Sequence, residues 1–212
     1  MKTNDLIESL ALEPAVTSRS FGQVVLQSAG LVLVLLLGLS LIYSLRVDLA
    51  QKLSEPWFTL DLVLLGGSAG LSLWVACKLG VPVLEGDRWW PKLALLPFAG
   101  WMMSLLGKLY LTWSTHPELV QPSPMDFFCI QNFMLFLLVP GLFFLFQLKT
   151  LAPVHPHWSA GLALLSATSM GNLALMLLES QDGIYHQVAW HLMPTLMFVG
   201  LGLCWGKKIL KW

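Results

Sequence analysis

The sequence predicts an all-α integral membrane protein: a bundle of six helices preceded by a short cytoplasmic amphipathic helix. Three observations carry that expectation. First, 56% of the 212 residues are apolar and only 11% charged, against about 25% charged in ordinary soluble domains. Second, six apolar runs each reach the roughly 20 residues a helix needs to cross a hydrocarbon core. Third, the lysines and arginines fall almost entirely on one side of those runs. The formal net charge is zero, so no positive field gathers nucleic acid and no direct nucleic-acid partner is expected.

Residues 1–23 form a cytoplasmic segment and tether. Thr3 or Asn4 caps a short helix with Asp5 and Glu8 in its first turn, where negative charge suits the helix dipole. Leu6, Ile7 and Leu10 line one face until Pro14 ends the pattern. Fewer than three turns do not hold as an isolated helix in water, so this acidic, apolar-faced segment reads as a partner-binding element with Leu6, Ile7, Leu10, Asp5 and Glu8 at the contact, a frayed tail being the alternative. Its acidity argues against a surface-lying membrane helix, and the full-length apolar run after it argues against a cleavable signal.

The spans are expected at 24–45, 57–77, 93–113, 127–148, 158–178 and 188–206, a bundle of 24–206 closed by the tail 207–212. Continuous apolarity, without the alternation of barrel strands, makes each a helix that satisfies its own backbone in the lipid bilayer. Lys2, Arg19, Lys78, Arg88, Lys92, Lys149, Lys207, Lys208 and Lys211 lie on the side of the termini, while Arg46 and Lys52 lie on the other. This split places both termini in the cytoplasm. Tryptophans near the span ends, Trp57, Trp89, Trp90, Trp113, Trp158 and Trp205, read as interfacial anchors.

Asp61 and Lys108 are the charged residues well inside spans, at matching depth toward the outer side. An ion pair would lower the cost of both charges in lipid, and this structural reading is preferred to a proton relay; separate snorkelling is the other option. Gln131, Asn132, Asn172 and His191 fall in the same outer half as Cys129, with His116, Glu118, Asp126, Glu179, Asp182 and His186 in the outer loops. Methionines nearby would suit Cu(I), yet packing and interhelical hydrogen bonds account for them better. No metal-ligand spacing is present, and neither a metal site nor a cofactor is expected, a thiophilic metal entering only as a candidate signal.

Cys77 and Cys204 sit at the inner ends and read as packing thiols, too far from Cys129 for a disulfide. Cys129, facing the outer space, is the thiol worth testing. Gly66-x-x-x-Gly70 and Gly202-x-x-x-Gly206 allow close helix approach, and Pro97, Pro140 and Pro194 are candidate kinks. No HExxH, GxSxG or carboxylate pair within one span points to an enzyme. A small transporter or channel with Asp61, Lys108, Asn172 and His191 on its path is the competing reading.

Several stretches carry a resemblance. Met1-Lys2-Thr3-Asn4-Asp5-Leu6-Ile7 with Leu10-Ala11 and Pro14, Leu45-Arg46-Val47-Asp48-Leu49 with Glu55-Pro56-Trp57-Phe58, Cys129-Ile130 with Pro140, the stretch from Asp182 to Trp190, and Lys208-Ile209-Leu210-Lys211-Trp212 together resemble the NrsF family, negative regulators of sigma F. The resemblance implies a six-span anti-sigma factor of the bacterial inner membrane whose N-terminal segment withholds an extracytoplasmic-function (ECF) sigma factor until an envelope signal arrives, with oxidative or metal stress as candidates. It also implies a sensing role for Cys129, the first of two outer-side cysteines in the family pattern, with His191 and Asp182 as further sensing candidates. Where the second cysteine would open a Cys-Pro-x-Asp stretch, this chain has Glu179-Ser180-Gln181-Asp182, so a two-thiol switch loses one of its thiols. Asp61 stands where a basic residue is expected in many relatives.

Overall fold

A computed structural model describes residues 21–79, 89–117, 120, 127–151 and 153–211. The expected N-terminal helix, with Asp5, Leu6, Ile7, Glu8 and Leu10, lies outside the described residues, as do Glu118 and Asp126.

Helices dominate the described chain: α1 (Phe21–Tyr43), α2 (Leu49–Lys52), α3 (Pro56–Lys78), α4 (Trp90–Thr115), α5 (Phe127–Thr150), α6 (Pro156–Leu178), α7 (Ile184–His186) and α8 (Met193–Ile209), with a π-helical stretch Gln187–Leu192 joining α7 to α8. Six helices are long and apolar enough to cross a membrane, counting α7, the π-turn and α8 as one. Their bounds fall within four residues of the expected ones, most of them longer, whereas α1 stops at Tyr43, two residues before the expected end. The short α2 lies between the first two and has no counterpart in the sequence reading. The end of the bundle where α1 begins and α8 finishes is called proximal below; the other is distal.

Helix α6 is the axis of the fold. It packs against α8, α3 and α5, while α3 also packs against α4. Every residue from Ser159 to Ser169 is buried, about three turns without an outward face. Small residues make this possible, because Ala160, Gly161, Ala163, Ser166 and Ala167 let neighbouring backbones close in. Hydroxyls satisfied across the helices join in: Ser166 Oγ donates to the Ala69 carbonyl at 2.8 Å, and Ser68 Oγ meets Ser169 Oγ at 2.9 Å. By contrast, 17% of the most apolar stretch of α1 is buried, against 78% for α6. Leu26, Leu33, Val34, Leu37 and Leu41 of α1 point outward, as lipid-facing side chains do. Gln147 Nε2 of α5 donates to Gln27 Oε1 at 2.6 Å and holds α1 to the bundle.

The two small-residue spacings behave differently. A Cβ at Gly202 would sit 2.9 Å from Gly161 Cα, and one at Gly206 would sit 2.5 Å from the Pro156 carbonyl oxygen, so α8 meets α6 backbone to backbone at the proximal end. A Cβ at Gly66 would find only Leu173 Cδ1, at 3.7 Å, and one at Gly70 would find open space; this pair does not set a close crossing. His157 Nδ1 meets the Leu203 carbonyl at 2.7 Å and ties the same two helices. Trp74, Trp89 and Trp90 are more than separate anchors: Trp89 stacks on Trp90 and Trp74 meets it edge-on, with Lys78 Nζ 3.7 Å from the Trp90 ring centre. Cys77 is buried as a packing thiol, whereas Cys204 is exposed. Two positions on from Gly202, its side chain turns away from the face that α6 occupies.

Candidate functional site

Polar side chains gather at the distal end in three adjoining groups. The first pairs α3 with α4. Lys108 Nζ is bonded to Asp61 Oδ2, and Ser104 Oγ, one helical turn from Lys108, donates to Asp61 Oδ1 at 2.7 Å. Asp61 is 2% exposed, so two donors on one helix neutralise a carboxylate buried on the next. A cavity of about 470 Å³ opens beside the pair, lined also by Lys52, Thr112 and Met176.

The second group is centred on Arg46, whose side chain is buried although it stands in a connection between helices. Nε and one terminal nitrogen donate to Asp48 at 2.7 and 2.8 Å; both terminal nitrogens donate to Asp182 at 3.0 and 2.9 Å; and the last N–H reaches the Glu179 carbonyl at 2.9 Å. All five guanidinium N–H groups are thus used, which a lysine could not reproduce. Arg46 N also donates to the Leu177 carbonyl at 3.1 Å, capping the end of α6, and the guanidinium lies over the Phe58 ring. Lys52 Nζ adds a contact to Asp182 at 2.9 Å. Hydrogen bonds from Arg46 hold the Asp48 carboxyl down at about 2. At Asp182 burial pushes upward, but Arg46 and Lys52 outweigh it and the carboxyl is lowered. The same acceptors raise Arg46 above its ordinary range.

In the third group every member is buried. Cys129 opens α5, Glu179 follows the last residue of α6, His186 ends α7, and His191 lies in the π-turn; all four are buried. Cys129 Sγ is 3.5 Å from His191 Nε2, Glu179 Oε2 is 3.7 Å from the same nitrogen, and Glu179 Oε1 is 3.1 Å from His186 Nε2. Their donor atoms all lie within 4.8 Å of one another. Burial pushes the Glu179 carboxyl up, but His186 and His191 outweigh it and hold it at about 2. Although the 3.1 Å approach of His186 Nε2 is close, Glu179 Oε1 makes no aligned hydrogen bond. A cavity of about 20 Å³, the volume of a single water position, is lined by Glu179 and His191 together with Asp182 and Arg46.

The π-turn shapes this group. Pro194 cannot donate the bond an α-helix would send to the Trp190 carbonyl, and its ring crowds that oxygen; a widened turn is one way a helix absorbs such a defect. Thr195 Oγ1 donates to the His191 carbonyl at 2.7 Å and accepts from Asn172 Nδ2 at 3.0 Å. Asn172 thus anchors the turn to α6.

Residues 10–212 match the family model described as NrsF, negative regulator of sigma F. The chain belongs to the NrsF family. No curated protein and no solved structure matches it. The family description names a regulator acting against a sigma factor and no reaction. In this NrsF chain the sensing candidates divide: Cys129 and His191 stand together, while Asp182 belongs to the Arg46 group. Glu179, His186 and Arg46, which the sequence reading quoted as loop residues, counted charges or members of the resembling stretches but not as site residues, take part in these groups. His186 and His191 are five apart, a spacing that brings nothing together on an α-helix; Pro194, three residues later, was the one local sign of an irregular turn.

Proposed function

We propose that this NrsF protein is a non-catalytic anti-sigma factor of the bacterial inner membrane. It binds an ECF sigma factor through residues 1–13 and releases it when an envelope signal reaches the distal polar groups. The match of residues 10–212 to a family of negative sigma regulators carries this reading. Charge supports the orientation: Lys78, Lys92, Lys149, Lys207 and Lys208 belong to the proximal end, and positive residues stay cytoplasmic. With that orientation the acidic segment with Leu6, Ile7 and Leu10, followed in sequence by the tether and then α1, belongs to the side where a sigma factor resides. The distal groups face the envelope, about 34 Å away along a 23-residue helix.

Deleting residues 2–13 is expected to abolish co-purification with the co-encoded sigma factor and to raise transcription of its targets. Retained binding by the truncated protein, still present in the membrane, would refute the assignment of the binding element. The transporter reading gains nothing from the geometry. Asp61 and Lys108 line one cavity, His191 lines another, and Asn172 lines neither.

A further inference from the structure

We infer that Cys129, Glu179, His186 and His191 form a binding site for one divalent transition-metal ion of the zinc type, and that only the π-turn presents both of its histidines. The donor set comes from three separate helical elements and a helix end, meeting in one buried place. With zinc-ligand bonds of about 2.0–2.3 Å, the edges of a tetrahedron are about 3.3–3.7 Å. The separations of 3.1 Å (His186 to Glu179 Oε1), 3.5 Å (Cys129 to His191) and 3.7 Å (His191 to Glu179 Oε2) lie close to that edge, and all the donor atoms fall within 4.8 Å of one another, so small side-chain adjustments close the shell.

Charge selects the ion. The Glu179 carboxylate and a Cys129 thiolate supply two negative charges, and the Cys129 S–H proton leaves to solvent as the metal–sulfur bond forms. A divalent ion makes the buried site neutral, whereas a monovalent ion leaves one uncompensated charge in a low-dielectric interior. Two imidazoles, a thiolate and a carboxylate suit a borderline ion better than a purely soft or purely hard one.

The turn geometry adds the coupling. On an α-helix, residues five apart point about 140° away from each other, so His186 and His191 would diverge. A turn closed by i→i+5 bonds stacks residues at that spacing, and the two imidazole centres are 5.4 Å apart. An ion that needs both rings binds the π form alone and shifts the equilibrium by that differential affinity. The proximal part of α8 is pinned by Gly202 and Gly206, so a change of register is taken up by residues 179–186, where Arg46 is held through Glu179 and Asp182. Arg46 sits three residues beyond the end of α1, the helix that leads back to the N-terminal segment. Use of the ion as the release signal rests on the anti-sigma reading; the site itself does not.

The test is titration of the purified full-length protein in nanodiscs with Co²⁺, followed by competition with Zn²⁺. The expected result is one equivalent bound, with a thiolate-to-cobalt charge-transfer band and tetrahedral ligand-field bands, both displaced by Zn²⁺. C129S abolishes the charge-transfer band, H186A and H191A each weaken binding at least about tenfold, and C204S, at the exposed proximal thiol, changes nothing. Size-exclusion profiles matching the wild type establish that the variants are folded. No charge-transfer band in the wild type, or a band that survives in folded C129S, overturns the site. Separately, Zn²⁺ added to cells should raise sigma-dependent transcription in the wild type and not in C129S. If cobalt binds as expected and transcription does not respond, the signalling role falls while the site stands; if deletion of residues 2–13 leaves sigma binding intact, the anti-sigma segment falls instead.

Discussion

At the proximal end of α6, backbone meets backbone: Gly202 and Gly206 of α8 lie against Gly161 and Pro156 with no room for a methyl group. At its distal end, the same helix is held by charge: Arg46, Asp182 and Glu179 bind through hydrogen bonds and ion pairs around a small cavity. The first contact depends on shape and nothing dissolved in water changes it. The second depends on protonation and on ions, so it can respond to the surroundings. A protein that holds one end rigid and leaves the other chemically adjustable has a fulcrum and a handle.

Replacing Gly206 with alanine puts a methyl group on the Pro156 carbonyl and should cause the largest effect, a loss of about 3 kcal/mol, measured as a lower thermal midpoint of the detergent-solubilised protein. A neutral outcome would mean that α8 slides easily on α6 and would remove the contrast. Next comes Arg46→Lys, which keeps the charge but loses the planar fork. It should cost about 2 kcal/mol in the same assay, and limited proteolysis should now cut within residues 43–56. Smallest is the response to acid. Asp48 and Asp182 have carboxyls lowered by Arg46, so their stabilising contribution is complete above the ordinary carboxylate range and lost as pH falls through their folded values. The gap in thermal midpoint between wild type and Arg46→Lys should therefore be full at about pH 6 and shrink between about 4 and about 2, while the gap for Gly206→Ala should not move. An acid-insensitive Arg46 gap would assign the stabilisation to the Glu179 carbonyl rather than to the two carboxylates.

The bundle was legible because lipid imposes a simple rule: a run of apolar residues long enough to cross must be a helix, and six such runs could be counted. Asp61 and Lys108 could be matched because depth alone brings them level. Cys129 and His191 could be singled out by residue type, and their meeting required knowing how α5 and the last span pack. Arg46 was invisible as a site because, besides Asp48, its acceptors lie 133 and 136 positions away. His186 and Glu179 were read as loop residues because sequence patterns assume α-helical spacing, and the π-turn breaks it. The Cys204 reading failed for a related reason: its depth could be inferred, but its direction around α8 was set by the glycines on the other face.

The reach of Arg46 has a consequence for how the protein is made. Glu179 and Asp182 follow Arg46 by 133 and 136 positions, so at about 5–20 residues per second a nascent chain carries this arginine without those partners for roughly 7 to 27 s. During that time α1 stands in the bilayer on its own apolar surface, and the guanidinium waits in headgroup water for the ribosome to deliver α6. The bonds that tie the connection after the first helix to the end of α6 therefore close only after most of the chain has been made.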